Sequence, residues 1–84
     1  MSTEKRLGFV GIVVEKKDHI SDLNKTLNDY SYLIRGRIGV PDSSHESGVI
    51  GLIVEGTNDE LGAMTGKLGN FEGIQVKSAL LPKK

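Results

Sequence analysis

The sequence predicts an α+β domain of β-α-β-β-α-β order, with a four-stranded antiparallel sheet and two helices on one of its faces. Three observations carry this. First, the chain repeats itself. GIVVE at Gly11 to Glu15 returns as GLIVE at Gly51 to Glu55, an offset of 40; Ile20, Leu23 and Leu27 return as Leu61, Met64 and Leu68, an offset of 41; Ile34 and Val40 return as Ile74 and Leu80, again at 40. Second, within each copy a short β-branched run gives way to apolar residues at i, i+3 and i+7, a change from strand to helix period. Third, a polar segment from Val40 to Gly48, rich in Ser and containing Pro41, separates the copies as a hairpin loop would.

The elements follow in order. Phe9 to Val14 and Val49 to Val54 are apolar and β-branched, which suits the first and third strands. The stripe Ile20, Leu23, Leu27 forms one face of the first helix. In the second helix, Thr57-Asn58-Asp59-Glu60 has the spacing of a capping box, and Gly69 fits a left-handed helix stop. Leu33 to Ile38 and Ile74 to Lys77 carry charge and read as strands two and four, at the sheet edges. Two βαβ units in tandem with right-handed crossovers make the ferredoxin-like arrangement, as one domain over residues 1–84.

Alternation divides the strand residues between two faces. Val10, Ile12, Val14, Ile34, Ile38, Ile50, Leu52, Val54, Ile74 and Val76 form the set assigned to the helix-covered core. The other face has an apolar centre of Phe9, Val13, Val49 and Ile53, rimmed by Arg35, Arg37, Lys77, Glu15 and Glu55. Apolar centre and polar rim are the anatomy of a protein interface. Burying about 400 Å² there would contribute roughly 10 kcal/mol before the costs of association. Gly11 and Gly51 would allow another backbone to approach. Self-association, as a homodimer or homotetramer, is the expectation, and it suits a chain of 84 residues with no cysteine to staple it.

Composition excludes several functions. Lys plus Arg equals Asp plus Glu, 11 against 11, so no broad cationic surface grips nucleic acid or anionic lipid. Among the aromatic positions that RNA-binding sheets of this topology use, only Phe9 is filled. No stretch is long and apolar enough for a membrane span, and MSTEKR lacks the apolar region of a signal peptide, so a cytoplasmic location is expected. No nucleophile elbow or cysteine is present, and His19 and His45 read as solvated residues without a carboxylate or nucleophile partner at fixed spacing, so an enzyme is not expected. Asp42, His45 and Glu46 are metal ligands by type, but a Ser-rich loop is a poor template for fixed geometry; neither metal nor cofactor is expected.

The second helix holds an oddity. Gly62 and Gly66 sit inside it, each disfavoured by about 1 kcal/mol relative to alanine. Four residues apart, they make a flat strip suited to close packing by the other helix, a neighbouring subunit or a small ligand. If a small effector binds, Gly56, Asn58, Asp59, Gly62 and Gly66 are the candidates to line its site.

GIVVEKKD, RIGVP and TNDELGAMTGKLGNFEGIQVKSA resemble the regulator family of the iron-only hydrogenase system, from about Leu7 to Leu80. The resemblance implies regulation linked to hydrogenase and similarity to ACT domains and to the C-terminal domain of the nickel-responsive regulator, which assemble as dimers or tetramers and bind small effectors between subunits. No ribbon-helix-helix segment and no His and Cys ligand set accompany it here, so neither DNA binding nor nickel sensing is expected. A protein that only docks a partner through the open sheet face is the alternative.

Overall fold

In the computed structural model, which describes residues 4–42 and 47–81, the β-branched runs form the paired centre of a sheet. Strand β1 (Arg6–Val14) lies between β3 (Ser47–Gly56) and β4 (Ile74–Leu80), and β2 (Ile34–Asp42) flanks β3, in the order β2-β3-β1-β4 with every pair antiparallel. Helix α1 (Ile20–Asp29) follows a 3-10 turn at Lys17–His19; a second such turn, Ser31–Leu33, leads into β2; helix α2 is Asn58–Gly69. This is the expected ferredoxin-like arrangement, with the charged strands at the edges. Strands β1 and β3 run longer than their apolar runs, and the hairpin brings β2 and β3 close enough to pair up to Asp42 and Ser47.

The repeat explains the core. Val10, Ile12 and Val14 from β1 meet Ile50, Leu52 and Val54 from β3 and Ile74 from β4, beneath Leu23 and Leu27 of α1 and Leu61, Met64 and Leu68 of α2. Thr26 is the polar residue buried with them, and its hydroxyl donates to the Asp22 carbonyl at 2.9 Å. Among the described residues no buried side-chain nitrogen or oxygen lacks a partner, as the expense of burying an unpaired polar group demands.

The helix ends differ. Thr57 and Glu60 form the full capping box: the Glu60 amide donates to Thr57 Oγ1 at 3.2 Å, and the Thr57 amide to Glu60 Oε1 at 2.9 Å. The bond from the Thr57 amide, and after it a hydrogen bond from the Thr57 side chain, hold the Glu60 carboxyl below its ordinary value of 4.5. Gly69 does not adopt the expected left-handed stop. It ends α2 in helical conformation, Asn70 caps it with φ −77°, and the positive φ falls on Gly73, at 80°. The reversal is completed there, where the Gly73 carbonyl accepts from the Glu15 amide at 2.7 Å and ties the turn to the end of β1.

One irregularity redistributes the second strand. A bulge between Ile34 and Gly36 inserts a residue into β2, and one extra residue flips every later side chain to the opposite face. Beyond it Arg37 stands opposite Leu52, whose side chain is in the core, while Ile38 and Val40 stand opposite Gly51 and Val49 on the open face. The core assignment of Ile38 is therefore corrected: it is 68% exposed. Arg37 is corrected the other way, from the open rim to the helix side, where its Nη2 donates to Asn24 Oδ1 of α1 at 3.2 Å.

Candidate functional site

The open face of the sheet carries more apolar surface than alternation alone assigns to it. Phe9, Val13, Val49 and Ile53 are all there, with exposures between 42% and 52%, and Leu7, Ile38 and Val40 join them. Phe9 pairs with Ile53 and Val13 with Val49 across the central strands, so the patch is continuous. Ile38 and Val40 were hidden from sequence reasoning by the bulge; Leu7 shares the parity of Phe9 and needed only the earlier start of β1. Gly11 and Gly51 face each other beneath this patch, but no vacant slot for a foreign backbone results, because the Phe9 ring leans over both.

The rim is polar and largely self-paired. Arg35 reaches Glu55 Oε1 with Nη2 at 2.9 Å and Nε at 3.0 Å, a forked pair with one carboxylate oxygen. Gln75 Nε2 donates to Glu15 Oε1 at 2.7 Å. Arg35 thus stays at the rim as expected; Arg37 does not.

The five candidate ligand residues are not gathered into one place. Gly56 is buried, and a Cβ there would lie 2.7 Å from Leu33 Cδ2, so core side chains already fill its surroundings. Asn58 is exposed and accepts from Arg6 Nη1 at 3.0 Å, while the same guanidinium holds the Leu81 carbonyl through Nε and Nη2. Asp59 is exposed on the first turn of α2. Asn58 and Gly62 share a small cleft of about 90 Å³ with Ser78 and Leu80. Gly62 and Gly66, with Thr65 and Gly69, make one wall of an open groove of about 510 Å³ whose other wall is β4 from Ile74 to Ser78. The other helix is not what packs on the glycine strip: beyond α2's own backbone, no described atom lies within 4 Å of where a Cβ would sit at Gly62 or Gly66.

His19 is not simply solvated; its Nδ1 lies 3.1 Å from Asp22 Oδ2 and its ring stacks on Phe71 with centroids 5.8 Å apart. The carboxylate three residues along a helical turn was visible in the sequence as an i, i+3 pair. His45 and Glu46, with the side chain of Asp42, lie outside the described residues. Among the described residues no group of three or more His, Cys, Asp or Glu could hold a metal ion, and no helix is long and apolar enough to cross a membrane.

Comparison with known proteins agrees with this fold. The TM1266-like family, whose description is iron-only hydrogenase system regulator with that role marked as proposed, matches residues 6–78. The structure of TM1266 from Thermotoga maritima is similar over 94% of this chain and 100% of that one, at 34% identity and a TM-score of 0.88. More distant likenesses are of fold alone. CutA1 from Oryza sativa has 16% identity, coverage of 99% of this chain and 86% of that chain, and a TM-score of 0.53. The apo form of CPII, a nitrogen regulatory PII-like protein from Thiomonas intermedia K12, has 10% identity, coverage of 99% and 100%, and a TM-score of 0.51. No curated protein matches the chain.

Proposed function

The chain belongs to the TM1266-like family, and from that premise we propose that it is a regulatory module, not an enzyme, that self-associates through the open face of its sheet and responds to a small effector. The observation that carries the reading is the apolar patch. Leu7, Phe9, Val13, Ile38, Val40, Val49 and Ile53 are each exposed by two fifths or more, and together they leave roughly 600 Å² of apolar surface in water, the upper end of what monomers tolerate. Two copies stacked on this face would remove about 1,200 Å² in total, within the range of specific interfaces. Phe9, Val13, Val49 and Ile53 form the centre of the proposed contact, with Arg35 at its edge. Of the five candidate ligand residues, Gly62 and Gly66 keep the best claim, because they share the α2–β4 groove.

Native mass spectrometry and sedimentation on the purified protein test this. A dimer or tetramer that Val49→Asp converts to a folded monomer supports the reading. A monomer at micromolar concentration overturns self-association and favours a module that docks a different protein on the same face. A bound small molecule would also raise the melting temperature by linkage, and a metabolite screen without any shift would remove the effector from the proposal.

A further inference from the structure

We propose that the groove between α1 and the edge strand β2 is a binding site for a small carboxylic acid with an apolar body, held by Arg37 and Lys17. The groove encloses about 280 Å³, below the usual size of drug-like pockets and suited to a molecule of metabolite size. Its floor is apolar: Val14 and Ile50 from the sheet and Ile20 from the start of α1 line it. Gly39 leaves the β2 side open, with no described atom within 4 Å of where its Cβ would be.

Two cations border this apolar floor, and neither has a carboxylate within 4 Å among the described residues. Among the described residues Arg37 donates once, from Nη2 to the neutral Asn24 Oδ1, which leaves donors of its planar fork available to a ligand. The contrast with Arg35, two residues earlier, is informative: that guanidinium is neutralised by Glu55 on the open face. The bulge in β2 separates the two arginines onto opposite faces and gives the groove the one that has no carboxylate partner among the described residues. Beyond the Arg37–Asn24 bridge the groove continues into a second hollow of about 340 Å³ reaching Leu27 and Ile34, so Arg37 is accessible from both sides.

The chemistry of recognition follows from these parts. A guanidinium beside a low-polarity floor binds a carboxylate by charge-assisted, forked hydrogen bonds, and a lysine on the same groove adds a second positive charge. The apolar body of the ligand covers Val14, Ile20 and Ile50. A bare phosphate satisfies the cations and leaves the floor wet; a neutral amide of the same shape satisfies the floor and leaves the cations unpaired. Both are therefore expected to bind worse than the acid.

This inference names a site and ligand class beyond the reading above; the groove shares Val40 and Val49 with the open face, while Arg37 and Lys17, which hold the ligand, are not among the residues of the proposed contact. The test is a titration of the ¹⁵N-labelled full chain with 4-methylpentanoate, its neutral amide, and inorganic phosphate, followed by amide chemical shifts. Saturable shifts at Gly39, Gly48 and Ile50 are expected with the acid. The amide, phosphate and the Arg37→Gln variant are each expected to weaken binding about tenfold or more, the worth of a charge-assisted bond. Lys17→Gln, on an exposed turn, gives a second variant should Arg37→Gln perturb the strand. Absence of saturable shifts, equal affinity for acid and amide, equal affinity for acid and phosphate, shifts confined to the α2–β4 groove, or unchanged binding in both variants would overturn the proposal. Diffusion measured on the same samples separates the two readings: a monomer that binds the acid ends only self-association, and an oligomer that ignores the acid ends only this site.

Discussion

The ring of Phe9 lies across Gly51: a Cβ at Gly51 would meet Phe9 Cε1 at 3.1 Å, and one at its cross-strand partner Gly11 would meet Phe9 Cε2 at 3.2 Å. The glycine pair is a slot that the chain fills with its own aromatic side chain. This holds the ring flat at the centre of the open face, the position from which an interface anchor contributes most.

Phe9→Ala is accordingly expected to weaken self-association by at least about tenfold while changing monomer stability by no more than about 1 kcal/mol, since the ring stands outside the core. Sedimentation equilibrium and urea unfolding measure the two effects separately. Unchanged association would show that the open face is not the contact.

Leu52, on β3, points to the opposite side of the sheet and is fully buried. Leu52→Ala leaves a cavity in the core it shares with Leu23, Leu27, Leu61, Met64 and Leu68, for an expected loss of about 3 kcal/mol or more. In a domain this small that is a large share of total stability, so the urea midpoint should fall sharply. A change below about 1 kcal/mol would mean that the site collapses freely.

The glycines divide into those the backbone requires and those it does not. Gly73 has φ 80° and sits against Lys16, so Gly73→Ala should destabilise by about 1–2 kcal/mol. Gly62 and Gly66 have helical backbone and open space around them, so Gly62→Ala and Gly66→Ala should each stabilise by about 0.5–1 kcal/mol. Thermal unfolding of the three variants checks the opposite signs. Loss of a ligand-induced thermal shift in the two helical variants would assign the strip a binding role.

Acid should release the α2 cap. The folded-state pKa of Glu60 lies below its ordinary value of 4.5 because the Thr57 amide and hydroxyl bind its charged form. The resulting stability is present above that ordinary value and is lost as pH falls through the lowered one. Glu60→Gln keeps a capping acceptor but cannot titrate. The stability advantage of the wild type over Glu60→Gln should therefore shrink on going from neutral pH to below the carboxylate range, as read by urea midpoints at both pH values. A constant difference would mean that the carboxyl does not sense the cap.

Much of this molecule was written locally. The repeat, with Leu23 and Leu27 recurring as Met64 and Leu68, places two helical stripes over two β-branched strands, and each copy must bury its stripe on the shared sheet. That requirement determines the order of elements, the central position of β1 and β3, and the apolar centre of the open face at Phe9, Val13, Val49 and Ile53. The Thr57–Glu60 capping box is equally local, because its partners are three residues apart.

Other features depended on residues distant in the chain. Which face Ile38 and Arg37 occupy is decided by a bulge that exists only in the pairing of β2 with β3; alternation presumes an unbroken register and assigns both the wrong way. Gly56 reads as accessible beside a helix start, yet Leu33, from the other copy of the repeat, fills its surroundings. Gly69 has the position of a helix stop, but the left-handed turn moves to Gly73, where β1 supplies the hydrogen bond that secures it. The sequence by itself determined the elements and the apolar faces that drive them together, because those follow from periodicity within each segment. Only the tertiary structure decided which charged and glycine residues border open space, because register, bulges and neighbouring side chains are properties of pairs of segments and not of either one.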